Sequence, residues 1–264
     1  MPQSLLARPL VYAHRGGAAL RPENTLAAFE HGLSLGADGL ELDVHLSRDG
    51  VVMVHHDATL DRTTNLTGPI RTRTAAELAL VDAGYRFSDG RTDSFPFRGK
   101  GFGIPTLRQV LERHPGARLI LELKSREAEL ARSTIDELRA ANAIGRVALG
   151  SFYYRVLRAA RNYEPGIATG AAQEETRWAL YRSWVSWPIR RPRYREFQVP
   201  ETSGHTTIVT PQFIRHAHAA GLPVKVWTVN DRGDIERLLD WGVDAIISDR
   251  PDVAVEALRA RGLR

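Results

Sequence analysis

The chain contains no cysteine. That one absence removes disulfide staples, thiolate nucleophiles and cysteine-ligated zinc together, and leaves the cytoplasm as the expected compartment. No stretch approaches the ~20 uninterrupted apolar residues that a membrane-spanning helix needs. The opening run MPQSLLARPL lacks an apolar core of signal-peptide length. Lysine is scarce: only Lys100, Lys124 and Lys225 occur, so nearly all the basic charge behind the net +5 is arginine. Those arginines are interspersed with acids and form no dense stripe beside a recognition motif, so no nucleic-acid partner is expected. A basic surface of this kind does steer anionic substrates. Repeats, low-complexity tracts and linkers are absent as well, so we expect one domain over residues 1–264. With 43% hydrophobic residues, the chain can bury a sizeable core.

Short β-branched and apolar runs alternate with amphipathic helical patterns along the chain. Strands are expected at 11–14, 39–45, 118–124, 147–152, 166–171, 196–200, 224–229 and 245–249. Helices fit 24–35, 106–113, 127–140, 153–162, 211–220, 232–241 and 253–261. Asn24 or Thr25 is placed to cap the first helix, and Gly36 to close it. Strand–helix alternation argues for parallel βαβ units, and eight strands argue for a closed α/β fold, the (β/α)8 or TIM barrel. One connection departs from this. Between Val44 and His56 there is room only for LSRDG and VVMVHH, so the chain turns at Arg48-Asp49-Gly50 into a β-hairpin after strand two. Two stretches read as additions to the barrel: a loop-rich insertion at 58–103 with one short helix near 75–80, and a Trp/Arg-rich segment at 176–194.

In such a barrel, ligands bind at the C-terminal ends of the strands. Those ends are polar here. The first strand closes in His14-Arg15-Gly16-Gly17, the second carries Glu41 and Asp43, and a later one carries Glu122 and Lys124. Alternate residues of a strand share a face, so Glu41 and Asp43 point the same way, and Glu122 with Lys124 do likewise. Three carboxylates converging in a barrel mouth repel one another unless a cation neutralises them. An all-oxygen set points to one divalent cation, Mg2+ or Ca2+. The hairpin returns His56 to the level of Glu41 and Asp43. His14 and His56 therefore suit general acid and general base roles near neutral pH. Arg15 and Lys124 add the positive charge that a phosphate requires. Together these groups suit hydrolysis of a phosphodiester.

The run AHRGG…RPENTLAAFEHGLSLGADGLELDVHLSRDGVVMVHHDATLDRTTN resembles the signature of glycerophosphodiester phosphodiesterases, and IPTLRQVLE, LILELK, ALGSF, VKVWTVND and GVDAIISDRPD extend the resemblance over nearly the whole chain. The resemblance implies a (β/α)8 barrel that releases an alcohol and glycerol 3-phosphate with a divalent cation. It implies His14 and His56 as the acid–base pair and Glu41, Asp43 and Glu122 as metal ligands. Arg15 and Lys124 would hold phosphate oxygens, and Trp227 would line the glycerol side. Which histidine is acid and which base stays open, as does the choice between water and the substrate's own hydroxyl as nucleophile.

The segment after strand five, residues 171–201, matches the family pattern only weakly apart from its QVPE-like strand. Trp178, Tyr181, Trp184 and Trp187 recur every three residues among Arg177, Arg182, Arg190, Arg191 and Arg193. They read either as a helix packing its aromatics over the barrel rim or as an interfacial lid in peripheral contact with a lipid surface. The second reading carries an alternative substrate, a lysophospholipid cleaved in lysophospholipase D fashion. A silent membrane-surface barrel is the non-enzymatic alternative. His216 and His218, two apart on a helix, do not share a face and are expected to be surface residues.

Overall fold

The computed structural model describes residues 4–88, 90 and 94–264. Its strands are β1 (Leu10–His14), β2 (Gly39–Leu46), β3 (Val52–Val54), β4 (Arg118–Leu123), β5 (Val147–Gly150), β6 (Ala168–Thr169), β7 (Phe197–Pro200), β8 (Thr202–Ser203), β9 (Thr206–Thr207), β10 (Val224–Trp227) and β11 (Ala245–Ser248). The helices are α1 (Leu26–Ser34), α2 (Ala75–Ala79), α3 (Leu107–Arg113), α4 (Ala128–Ala140), α5 (Tyr154–Tyr163), α6 (Gln173–Trp184), α7 (Pro211–Ala219), α8 (Arg232–Trp241) and α9 (Pro251–Ala260). Eight strands run parallel in the order β6-β5-β4-β2-β1-β11-β10-β7. The ring closes where Gly170 pairs in parallel with Glu196. The fold is thus the expected (β/α)8 barrel.

Period-two alternation separates its two faces. Val11 and Ala13, Leu40, Leu42 and Val44, and Leu119, Leu121 and Leu123 are buried outward against the helices. Each such valine or leucine side chain contributes about 1.5–3 kcal/mol when withdrawn from water. The opposite parity faces the barrel interior, where Tyr12, Ile120, Ala245 and Ile247 pack together. Beside them Lys225 is buried 2.8 Å from Glu196, its ammonium 4.9 Å from the centre of the Tyr12 ring.

The hairpin follows the expectation from Arg48-Asp49-Gly50. Strand β3 pairs antiparallel with β2, Val44 opposite Val54 and Leu46 opposite Val52, and the His55 amide donates to the Asp43 carbonyl at 3.0 Å. Within 58–103, of which 89 and 91–93 lie outside the described residues, the chain builds a small apolar cluster of its own. Leu60, Ile70, Leu78, Val81 and Ala83 pack there on Met53 of β3 and on Ile104 just past the segment.

One sequence expectation, the surface placement of His218, needs correction, and two elements near the rim had weak sequence signals. Residues 176–184 belong to a regular barrel helix, α6; its buried face is only Thr176, Ala179, Leu180 and Ser183, too narrow and too polar to register as an apolar stripe. The β8–β9 hairpin, two residues per strand, had no sequence signal of length. His218 is not a free surface group: its Nε2 lies 2.7 Å from Asp244, which is fully buried and also accepts from Ser4 Oγ at 2.9 Å and the Val224 amide at 2.7 Å.

Candidate active site

The C-terminal ends of the strands surround a cavity of about 390 Å3. His14, Arg15, Glu41, His56, Glu122, Lys124 and Trp227 line it, and Asp43 lies just beneath at 1% exposure. All eight side chains singled out from the sequence therefore meet at one end of the barrel. Register explains the acids: Asp43 sits opposite Glu122 across the β2–β4 ladder, and His14 opposite Glu41 across β1–β2. Ligand oxygens of Glu41, Asp43 and Glu122 lie within 4.8 Å of one another.

Protein groups alone leave this acidic set under-neutralised. Lys124 Nζ reaches Glu122 at 2.7 Å and Asp43 at 3.1 Å, and the Arg15 guanidinium stands 3.4 Å from Asp43. Burial would raise Asp43, but Lys124 and Arg15 hold it below the usual carboxylate range. Among the described residues no lysine or arginine side chain stands within ion-pair distance of Glu41, whose nearest basic group is His14 Nε2 at 3.7 Å. Burial, reinforced by Asp43, pushes its carboxyl up to about 8. Burial likewise raises Glu122, against the pull of Lys124. A divalent cation among these oxygens would return both to the ionised form, so the donor set fits a hard cation.

Each histidine is held by an aspartate. His14 Nδ1 lies 2.6 Å from Asp249 and His56 Nδ1 2.6 Å from Asp57. An ionised carboxylate only accepts hydrogen bonds, so each Nδ1 carries its proton and each Nε2 is left for proton exchange. Against opposing burial, Arg62 and His56 hold Asp57 at about 2. The two imidazoles are tuned apart. Burial depresses His14, but Glu41 and Asp249 outweigh it and raise the group above its ordinary value. At His56 burial, with Lys124 and Arg15 nearby, prevails over Asp43 and lowers it.

The loop after β1 folds tightly. Gly16 has φ +86°, and a Cβ there would stand 2.7 Å from the Ala28 backbone, so only glycine lets α1 approach this closely. Arg15 and Asn24 are non-glycine residues with φ +51° and +57°, a strain costing of order 1–3 kcal/mol each that binding loops retain when their surroundings enforce it.

Sequence reasoning missed a supporting shell. Thr25 caps α1 by accepting from the Ala28 amide, which frees Asn24 to donate from Nδ2 to Asp43 at 2.9 Å. Asp249 and Asp57 orient the histidines, and His45 Nε2 donates to the His56 carbonyl at 3.1 Å. Arg62, from the insertion, clamps Glu23 and Asp57 at 2.7 Å each, and Glu23 in turn holds Arg15 at 3.0 Å. Adjacency in HHD, PENT and SDRP was the only available signal. The partners of these residues lie on distant segments.

Acids, paired imidazoles and cationic side chains at the strand C-termini of a parallel barrel define a (β/α)8-barrel hydrolase. Within that class, the chain belongs to the glycerophosphoryl diester phosphodiesterase family, whose model matches residues 14–253. It is similar to a glycerophosphodiester phosphodiesterase of Caldanaerobacter subterraneus subsp. tengcongensis, 31% identical over 262 residues that cover 97% of this chain and all of that one. Among solved structures it resembles an Oleispira antarctica phosphodiesterase determined with the product sn-glycerol-3-phosphate, at TM-score 0.76 and 28% identity over 96% of this chain and 97% of that one. A glycerophosphoryl diester phosphodiesterase domain from Mycobacterium tuberculosis, at TM-score 0.83 but 23% identity over 96% of this chain and 99% of that one, shares the fold.

Proposed function

We propose that the protein hydrolyses glycerophosphodiesters to glycerol 3-phosphate and an alcohol, using one divalent cation and the two histidines. The observation that carries this reading is the meeting of three carboxylates within 4.8 Å and two aspartate-held imidazoles in one cavity. Glu41, Asp43 and Glu122 would hold the cation, Mg2+ or Ca2+. Bound there, it would supply Lewis-acid stabilisation of phosphoryl charge. Lys124 and Arg15 lie beside the acids, where they can bind the remaining phosphate oxygens. Trp227, packed edge-on to Phe152 with ring centres 6.0 Å apart, walls the glycerol side. One histidine Nε2 takes the proton of the attacking hydroxyl, and the other returns a proton to the departing alkoxide.

A second reading is favoured by the outer wall of the cavity, where Leu180, Tyr181, Trp184, Val199 and Ile208 form an apolar extension suited to an acyl chain. It makes the substrate a lysophospholipid. One experiment tests both: glycerol 3-phosphate and lysophosphatidate release from a panel of diesters, with chelator and with Mg2+ or Ca2+ restored. Hydrolysis unaffected by chelation would overturn the metal assignment, and preference for lysophosphatidylcholine over glycerophosphocholine would select the second reading.

A further inference from the structure

On the rim of the same barrel end, α6 and the segment behind it leave an unusual surface. Trp178, Tyr181, Trp184, Val185 and Trp187 are exposed at 66%, 44%, 56%, 69% and 63%. Isolated exposed apolar side chains are ordinary, but three tryptophans side by side are not. Ring contacts join Trp178, Tyr181 and Trp184 into a ridge: Trp178 meets Tyr181 edge-on with ring centres 6.3 Å apart, and Tyr181 meets Trp184 at a tilt with centres 5.2 Å apart. The charge along the ridge is mostly positive; the acids nearest to it in the sequence are Glu174 and Glu175 in the first turn of α6, and Glu175 is held by Arg161. Residues 176–195 hold Arg177, Arg182, Arg190, Arg191, Arg193 and Arg195 and no aspartate, glutamate or lysine, so this stretch of the sequence carries +6 where the whole chain nets +5. Among the described residues, none of these six guanidinium groups has a carboxylate within ion-pair distance, whereas Arg161 just below is paired with Glu175 at 2.7 Å. Behind the ridge a second hollow of about 360 Å3 is lined by Trp178, Ile189, Pro192 and Tyr194, with Arg182, Arg190 and the Arg161-bound Glu175 also on its wall. Tyr181 and Trp184 also wall the outer part of the active-site cavity, so ridge and cavity mouth open on one side.

We propose that this face is a docking surface for an anionic phospholipid bilayer. Tryptophan rings seat at the boundary between headgroups and acyl chains, where the apolar body is buried and the indole N–H stays hydrated. Arginines without a carboxylate partner beside them complement lipid phosphates and extend their aliphatic stems along the apolar layer. A bilayer meets both features at once, a broad apolar boundary and a dense negative charge. Docked this way, the barrel points its cavity mouth at the lipid surface. The proposal concerns where the enzyme works and stands apart from the chemistry of the cavity.

The test is vesicle co-sedimentation of the full chain with phosphatidylcholine alone and with phosphatidylcholine–phosphatidylglycerol mixtures, at low and high salt, with tryptophan emission followed in parallel. Binding should require the anionic lipid, weaken with salt and shift the emission to the blue. Trp178→Ser with Trp187→Ser, neither of which lines the active-site cavity, should lower partitioning about tenfold or more, and Arg190→Gln with Arg191→Gln should do the same. Both double variants should hydrolyse soluble glycerophosphocholine as the parent does, which separates failure of docking from failure of the catalytic reading. Absence of co-sedimentation at low salt, undiminished binding by the tryptophan variant, or concentration-dependent dimerisation through this face in place of lipid binding would each overturn the proposal.

Discussion

Replacing Asp249 by asparagine isolates the role of a residue that touches no substrate in the proposed reaction. Asp249 accepts from His14 Nδ1 at 2.6 Å through one oxygen and from Asn230 Nδ2 at 3.0 Å through the other. An asparagine has the same shape but an NH2 donor in place of one oxygen, so one of these two acceptor roles is lost. If the amide oxygen stays with Asn230, its NH2 faces His14 Nδ1, and the imidazole moves its proton to Nε2, the atom that faces the cavity. A hydrogen bond to an ionised partner is worth about 1.5–3 kcal/mol. At 1.36 kcal/mol per decade, kcat should fall about tenfold to a hundredfold. Because Asp249 helps raise His14, its removal should move the His14 limb of the pH–rate profile to lower pH, whether that limb reports an acid or a base. Steady-state hydrolysis of a soluble diester at saturating cation measures both, with a thermal melt to confirm folding. A folded Asp249→Asn variant with kcat within about twofold of the parent and an unmoved pH profile would refute the reasoning.

Gly16→Ala should destabilise the protein by about 2 kcal/mol or more, since a Cβ would stand 2.7 Å from Ala28 at φ +86°; a Tm drop of roughly 4–8 °C in calorimetry checks it. Asp244 supplies an acid-side dependence of stability. Burial would raise its carboxyl, but His218 and the Val224 amide hold it below the usual range. A depressed folded-state pKa contributes stability that is present above the unfolded value of about 3.9 and is lost as pH falls through the folded value. Asp244→Asn should therefore melt lower at neutral pH, with a shallower loss on acidification; parallel melting curves down the pH scale would contradict this.

Much of the candidate site was legible in the sequence because strand periodicity is local. Glu41 and Asp43 had to share a face, and an Asp-Gly turn five residues past Val44 had to send His56 back beside them. The parallel barrel followed from the same alternation of apolar runs and helices. Helix α6 gives little periodic signal because Leu180 is the one large aliphatic among its four buried residues, the others being Thr176, Ala179 and Ser183.

What the chain's order of residues determined by itself was parity: which side chains face the helices and which face the barrel axis. Proximity across the ring was a tertiary decision. Asn24 became a partner of Asp43 instead of a helix cap, Asp249 came beside His14 from the far end of the chain, and Arg62 crossed from the insertion to grip Glu23 and Asp57. The physical reason is closure. Setting strand β11 against β1 brings residues 235 positions apart into hydrogen-bonding distance, and no local period encodes that.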